Sequence, residues 1–182
     1  GGEVISPTEG TERIRRAAEA RRDPDFIIKS RTDTLATHGI SEVIERLNAY
    51  AEAGADLLFA DALLSADEIG TVAKNVPKPL CVNMGFGIRK RSTTPLLSPR
   101  EMQDLGVAVA IYPRLLTSTA IQGMKNGLAV LSETMETGRI VERPDLAVSF
   151  EELNSLVGFD EVQAIERRFL TAEQMASKYQ RH

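Results

Sequence analysis

Four short apolar runs begin near residues 25, 56, 79 and 107, and every interval between them reads as a helix. This alternation restricts the chain to parallel α/β architectures. The runs are Phe26-Ile27-Ile28, Asp56 to Ala60, Leu80-Cys81-Val82 and Val107 to Ile111. Phe26-Ile27-Ile28 is an apolar run of the kind a strand covered on both faces requires.

The helices are marked by their starts. Ser6-Pro7-Thr8-Glu9, Ser65-Ala66-Asp67-Glu68, Ser98-Pro99-Arg100-Glu101 and Ser149-Phe150-Glu151-Glu152 each place a hydroxyl three residues before a Glu, the spacing of a capping box. The first helix is predicted over 7–22, stopped by Asp23-Pro24. A second opens at Ser41, lines up Val43, Ile44, Leu47 and Ala51, and ends at Gly54. Ile69, Val72, Ala73 and Val76 form the stripe of the third, and a short fourth closes at Gly106. From Thr117 the pattern is helical only: Ile121, Met124, Leu128, Leu131 and Met135 share a stripe up to Gly138. Residues 139–148 read as a connector, followed by a helix to Gly158 and another marked by Val162, Ile165 and Phe169. The polar tail from Thr171 to His182 is expected to be peripheral.

Four parallel strands with a helical tail fit either a small doubly wound sheet or half of a (β/α)₈ barrel, whose complete form takes ~250 residues. A helix ahead of the first strand favours the cut barrel, because in a βα repeat that helix follows a strand. The start Gly1-Gly2-Glu3-Val4-Ile5 has no initiator Met and no basic-plus-apolar leader, so the chain is expected to begin inside a longer gene product. The expected division is residues 1–137 as half-barrel and 138–182 as connector and C-terminal helices.

A net charge of -4 and a pI near 5.3 give no general attraction to nucleic acid or acidic membranes. No run approaches the ~20 apolar residues of a membrane span, and one Cys makes no intrachain disulfide. The expected location is cytoplasmic.

Chemistry is expected where the strands end, since carboxyl ends of parallel strands build the sites of α/β proteins. Arg31 carries a fork of donors suited to a carboxylate or a developing oxyanion; its structural alternative is an ion pair with Asp33 or Asp61. Asp61 suits a hard divalent cation or its water ligands, or else serves as a helix N-terminal partner or Arg31 counter-ion. Asn83 both donates and accepts, which suits a substrate carboxylate, and Asn is also a turn former. The loop from Met84 to Pro95 combines glycines, the cations Arg89, Lys90 and Arg91, and the hydroxyls of Ser92, Thr93 and Thr94. It suits an anionic substrate or is simply a solvated loop. Gly85-Phe86-Gly87 lacks the third glycine of a dinucleotide fingerprint. Cys81 reads as a core residue, and neither His38 nor His182 has a partner at ligand spacing.

The segments Ile28-Lys29-Ser30-Arg31-Thr32-Asp33-Thr34, Ala49 to Asp56, Val82-Asn83-Met84 and Thr94-Pro95-Leu96-Leu97 together resemble the isocitrate lyase and phosphoenolpyruvate mutase superfamily, in particular its methylisocitrate lyase and dimethylmalate lyase branch. The resemblance covers roughly residues 1–135. It implies a (β/α)₈ TIM barrel of which this chain is the C-terminal half, and a Mg²⁺-dependent carbon-carbon lyase, with Mn²⁺ as an alternative metal. The implied substrate is a small 2-hydroxy di- or tricarboxylate, cleaved to release a 2-oxo acid. By the same resemblance Arg31 is the catalytic residue that steadies an enolate or carboxylate oxygen, and Asn83 and Thr94 bind substrate. Asp61 stands where relatives carry Glu and contacts the metal through water. The principal metal-binding acids and the acid/base loop belong to the absent first half. A homotetramer exchanging C-terminal helices is implied as well. Oxaloacetate hydrolase or decarboxylase and phosphonopyruvate chemistry are alternatives within the superfamily, and a non-catalytic ligand-binding or regulatory module is the alternative outside it.

Overall fold

A computed structural model of the chain describes residues 4–90 and 92–179; Gly1-Gly2, Arg91 and His182 lie outside the described residues. The chain forms two compact units that divide between Thr119 and Ala120. The first unit holds α1 (Pro7–Ala20), β1 (Lys29–Thr32), α2 (Leu35–Glu52), β2 (Leu57–Ala60), α3 (Ala66–Lys74), β3 (Leu80–Asn83), α4 (Pro99–Asp104) and β4 (Val107–Ile111). Helix α5 (Leu115–Thr137) begins there and runs into the second unit, which holds α6 (Phe150–Leu156), α7 (Phe159–Phe169) and α8 (Ala172–Tyr179).

The strands form one sheet in the order β1-β2-β3-β4, every pair parallel. Each strand lies beside its predecessor, with a helix in each crossover. A doubly wound sheet instead reverses its order at a switch point. The fold is α/β with a four-stranded parallel sheet, consistent with part of a (β/α)₈ barrel.

Helix and sheet meet on one face. Leu58, Ala60, Leu80 and Val82 project into a buried cluster with Val43, Leu47, Ile69, Val72 and Met102 from α2, α3 and α4. Residue alternation sends Lys29, Arg31, Phe59, Cys81 and Val109 to the opposite face, where Lys29 and Arg31 are exposed and Val109 is 40% exposed.

The first strand starts later than its apolar run suggests. Phe26 and Ile27 are 65% and 61% exposed, and β1 is Lys-Ser-Arg-Thr with alternating exposed and buried residues. Asp56 sets this boundary. Its carboxylate accepts from the Ile28 N–H at 2.9 Å and from Arg21 at 2.6 Å, while its own N–H donates to the Ile28 carbonyl. Pairing therefore begins just beyond Ile28, which leaves Phe26 and Ile27 ahead of the sheet.

The capping hydroxyls act as their spacing implies. Ser6, Ser65, Ser98 and Ser149 each accept from the backbone N–H three residues on. Helix α2 is two segments joined at Gly39, whose φ of 79° and ψ of 179° suit only glycine, so its regular part starts near the expected Ser41. At Gly54 φ is 110° and a Cβ would lie 2.6 Å from that of Ala18, so glycine here both ends α2 and admits α1.

In the second unit the expected stripe of α5 is exposed: Ile121, Met124, Leu128, Leu131 and Met135 range from 51% to 79%. Helix α8 occupies much of the tail expected to be merely polar. Among the described residues no helix is long and apolar enough to cross a membrane.

Asp56 carries a pH dependence. The Ile28 N–H first, then Arg21, hold its carboxylate below the ordinary carboxylate value against a smaller opposing effect of burial. Its contribution is therefore complete above about pH 4 and is lost as pH falls through the lowered value. Asp56→Asn should destabilise by about 1–2 kcal/mol at neutral pH and by progressively less below about pH 4. Urea denaturation of the full polypeptide at both pH values checks this; a penalty independent of pH would contradict it.

Candidate functional site

Parallel register brings the strand ends into two rows on the open face. Arg31 pairs with Phe59, Phe59 with Cys81, and Cys81 with Val109. Two residues further along, Asp33, Asp61, Asn83 and Ile111 lie beyond them on the same side. Arg31, Asp61 and Asn83 thus share one face at the carboxyl edge of the sheet.

Arg31 is held from two directions. Its Nε and Nη2 donate to the two carboxylate oxygens of Asp33 at 2.9 and 2.6 Å, and Nη2 also donates to Oδ2 of Asp61 at 2.7 Å. The guanidinium carbon lies 5.0 Å from the centroid of the Phe59 ring, and Lys29 Nζ lies 5.3 Å from the same centroid. Phe59 is buried beneath these two cations, so the ring is a floor that attracts positive charge. Hydrogen bonding to Asp33 raises the Arg31 pKa above its ordinary value; desolvation opposes this, and the charges of Asp33 and Asp61 support it. The side chain remains 48% exposed. A fixed guanidinium with half its surface open is able to meet an incoming carboxylate without first being ordered.

Asp61 is buried and its two oxygens differ. Oδ2 accepts from Arg31, whereas Oδ1 is buried without a hydrogen-bond partner. Such an oxygen is costly to desolvate unless a cation or a water satisfies it. The unpartnered Oδ1 fits acceptance of a hydrogen bond from a metal-bound water. The other ligands of a metal are missing here: among the described residues no group of three His, Cys, Asp or Glu side chains is placed to hold one. Directly after Asp61, Ala62 has φ of 59° and is the single non-glycine residue with positive φ among those described. A left-handed alanine costs of order 1 kcal/mol, and it is followed by buried Leu63.

Asn83 uses its Oδ1 to accept from the Gly85 N–H at 3.0 Å. This bond fixes the amide so that its NH₂ group is left to donate, the polarity a substrate carboxylate needs. Thr94 is buried, and its Oγ1, like that of neighbouring Thr93, has no hydrogen-bond partner. It shares no hydrogen bond with Arg31, Asp61 or Asn83. Cys81 is buried beside Phe59; burial raises its pKa while the Lys29 charge opposes this, so it is a neutral core thiol. His38 is exposed, and its ring Nδ1 lies 2.7 Å from Thr37 Oγ1.

Both structural alternatives for Arg31 hold at once, since it pairs with Asp33 and with Asp61. Reading the sequence alone missed Lys29 and Phe59. Their signal was the placement of a cation two residues before Arg31, which puts both on one face of a strand.

The family model described as phosphoenolpyruvate phosphomutase matches residues 1–131. A 2,3-dimethylmalate lyase from Eubacterium barkeri is 33% identical over 171 residues, covering 94% of this chain and 57% of that protein. A 2-methylisocitrate lyase from Escherichia coli strain K12 is 40% identical over 110 residues, covering 60% of this chain and 36% of that protein. The crystal structure of a phosphonopyruvate hydrolase in complex with oxalate and Mg²⁺ superposes with a TM-score of 0.75 at 26% identity, covering 93% of this chain and 58% of that one. The chain thus spans little more than half the length of such relatives.

Proposed function

The chain belongs to the phosphoenolpyruvate phosphomutase family, and from that premise we propose that it is the C-terminal half of a (β/α)₈-barrel lyase acting on a small 2-hydroxy di- or tricarboxylate. The observation that carries the reading is Arg31, clamped by Asp33 and Asp61 yet half open at the carboxyl edge of the sheet. Coverage of 57% of the dimethylmalate lyase and 58% of the phosphonopyruvate hydrolase supports the half-barrel. So do the outer edges of β1 and β4, which have no partner strand among the described residues.

In the proposed reaction the substrate's 2-hydroxyl gives up its proton and its oxygen becomes the oxo group of the product. The bond between C2 and C3 breaks, and its electron pair passes to C3 and the carboxylate attached to it, which a proton then quenches. Arg31 meets the negative charge that develops on oxygen, where a fixed donor fork is most effective. Asn83 offers its NH₂ to a substrate carboxylate, and Thr94 its unpartnered hydroxyl. Magnesium, or manganese, would be held through water by Asp61 together with acids from the other half, and when bound it supplies Lewis-acid stabilisation of the same charge. The general acid and base also come from that half. Asp61 in place of the Glu of many relatives leaves the substrate open between methylisocitrate and dimethylmalate types. A phosphonopyruvate hydrolase activity is the second reading, favoured by the structural likeness to that enzyme. The exposed apolar stripe of α5 and the amphipathic helices after Ser149 fit a homo-oligomer, by family resemblance a tetramer.

For the full-length protein with magnesium, methylisocitrate, dimethylmalate, oxaloacetate and phosphonopyruvate form the substrate panel. Arg31→Ala should lower kcat/KM by about 10²-fold or more, and Arg31→Lys should restore little, because an ammonium loses the planar two-bond contact. Turnover of none of the four by the wild type would contradict the lyase reading. For the 182 residues alone, calorimetry should show no sharp cooperative transition, because Lys29, Arg31 and Val109 leave the second face of the sheet partly open to water. A sharp one would favour a self-sufficient ligand-binding module.

A further inference from the structure

The loop that leaves β3 is pinned at both ends beside the candidate site. At its start, the N–H of buried Met84 donates to the Ile111 carbonyl at 2.8 Å, and Gly87 N–H donates back to the Met84 carbonyl at 3.2 Å. Gly87 has φ of 70°, and a Cβ there would lie 2.7 Å from Cδ1 of Tyr112, so this glycine rests on the residue that follows β4. At its end, Thr94 is buried and the Leu97 N–H donates to Sδ of the same Met84 at 3.4 Å. Arg89 follows Gly87 by two residues, a span of at most about 7 Å. Its backbone is therefore held near the row of Asn83 and Ile111 at the carboxyl edge of the sheet.

Between these anchors Ile88 is 72% exposed, and Arg89 and Lys90 are exposed. Neither cation forms an ion pair among the described residues, in contrast to Arg31 with its two carboxylates. An exposed pair of uncompensated cations at the rim of an anion site raises the local concentration of the more highly charged ligand.

We infer that Arg89 and Lys90 are specificity-determining residues that favour substrates bearing an additional anionic group, carboxylate or phosphonate, beyond those gripped at Arg31 and Asn83. The inference rests on Arg31 being the anion grip. It places methylisocitrate-type tricarboxylates, and dicarboxylates that also carry a phosphonate, ahead of dimethylmalate-type dicarboxylates. Both cations project from an exposed loop, so their removal leaves the buried cluster intact.

The test is isothermal titration calorimetry on the full-length protein with magnesium at alkaline pH. Three unreactive probes are compared: oxalate, propane-1,2,3-tricarboxylate and 2-phosphonosuccinate, the last two each carrying a third anionic group. In the double variant Arg89→Gln, Lys90→Gln, the Kd of one or both of the last two should rise about tenfold, while the Kd of oxalate changes less than about twofold. Which of the two responds identifies the third group as carboxylate or phosphonate. The wild-type preference over oxalate should also shrink as salt is added. Equal loss for all three probes, or no change for any, would overturn the inference while Arg31-dependent oxalate binding kept the site reading alive. Failure of oxalate to bind, or binding indifferent to Arg31→Ala, would overturn both.

Discussion

The Arg31 guanidinium, shared between Asp33 and Asp61, is the contact on which the rest of the site depends. A cation packed over a buried aromatic ring needs compensation, and each neighbour supplies part of it. Asp33 contributes two bonds and Asp61 a third, with the Phe59 ring beneath. The arrangement has its own demands. Asp61 is buried with one oxygen unpartnered, and Ala62 takes a left-handed conformation immediately after it. Both features lie at one edge of the sheet, where a donor from a ligand or a bound water would satisfy the Asp61 oxygen.

The second constraint is that the sheet is finished on one side only. Its helix-facing side is closed by Leu58, Ala60, Leu80 and Val82 against α2, α3 and α4, and that face meets the ordinary needs of a parallel sheet. The opposite side carries Lys29 and Arg31 over buried Phe59 and Cys81, and leaves Val109 40% exposed. Together with coverage of about half of longer relatives, this one-sidedness is the physical reason for placing the remaining ligands and the acid/base groups on polypeptide that would face Arg31.

Much of this was legible in the sequence because the signals were local. A serine three residues before Glu marked α3, α4 and α6, and glycines at 54, 106, 138 and 158 stand where helices end, all with positive φ. The order of strands and helices followed. The start of β1 did not, because the apolar run Phe26-Ile27 drew attention away from Asp56, whose bonds to Ile28 come from 28 residues away. The Phe59 floor was hidden for a similar reason: only sheet register brings Lys29 and Arg31 over it. Asp61 and Asn83 were identifiable as strand-end polar residues, but that one Asp61 oxygen is unpartnered depends on packing no local pattern encodes. The apolar stripe of α5 was read correctly as a stripe, yet periodicity says nothing about what covers it.

The central claim is that Arg31, Asn83 and Asp61 surround a single small anion. A crystal structure of the full-length protein with oxalate and magnesium addresses it directly. The account predicts oxalate oxygens within hydrogen-bond distance of the Arg31 guanidinium and the Asn83 NH₂, with Asp61 Oδ1 bonded to a metal-bound water. Oxalate seated elsewhere, with Arg31 still closed on Asp33 and Asp61 and the Asn83 amide turned away, would contradict it.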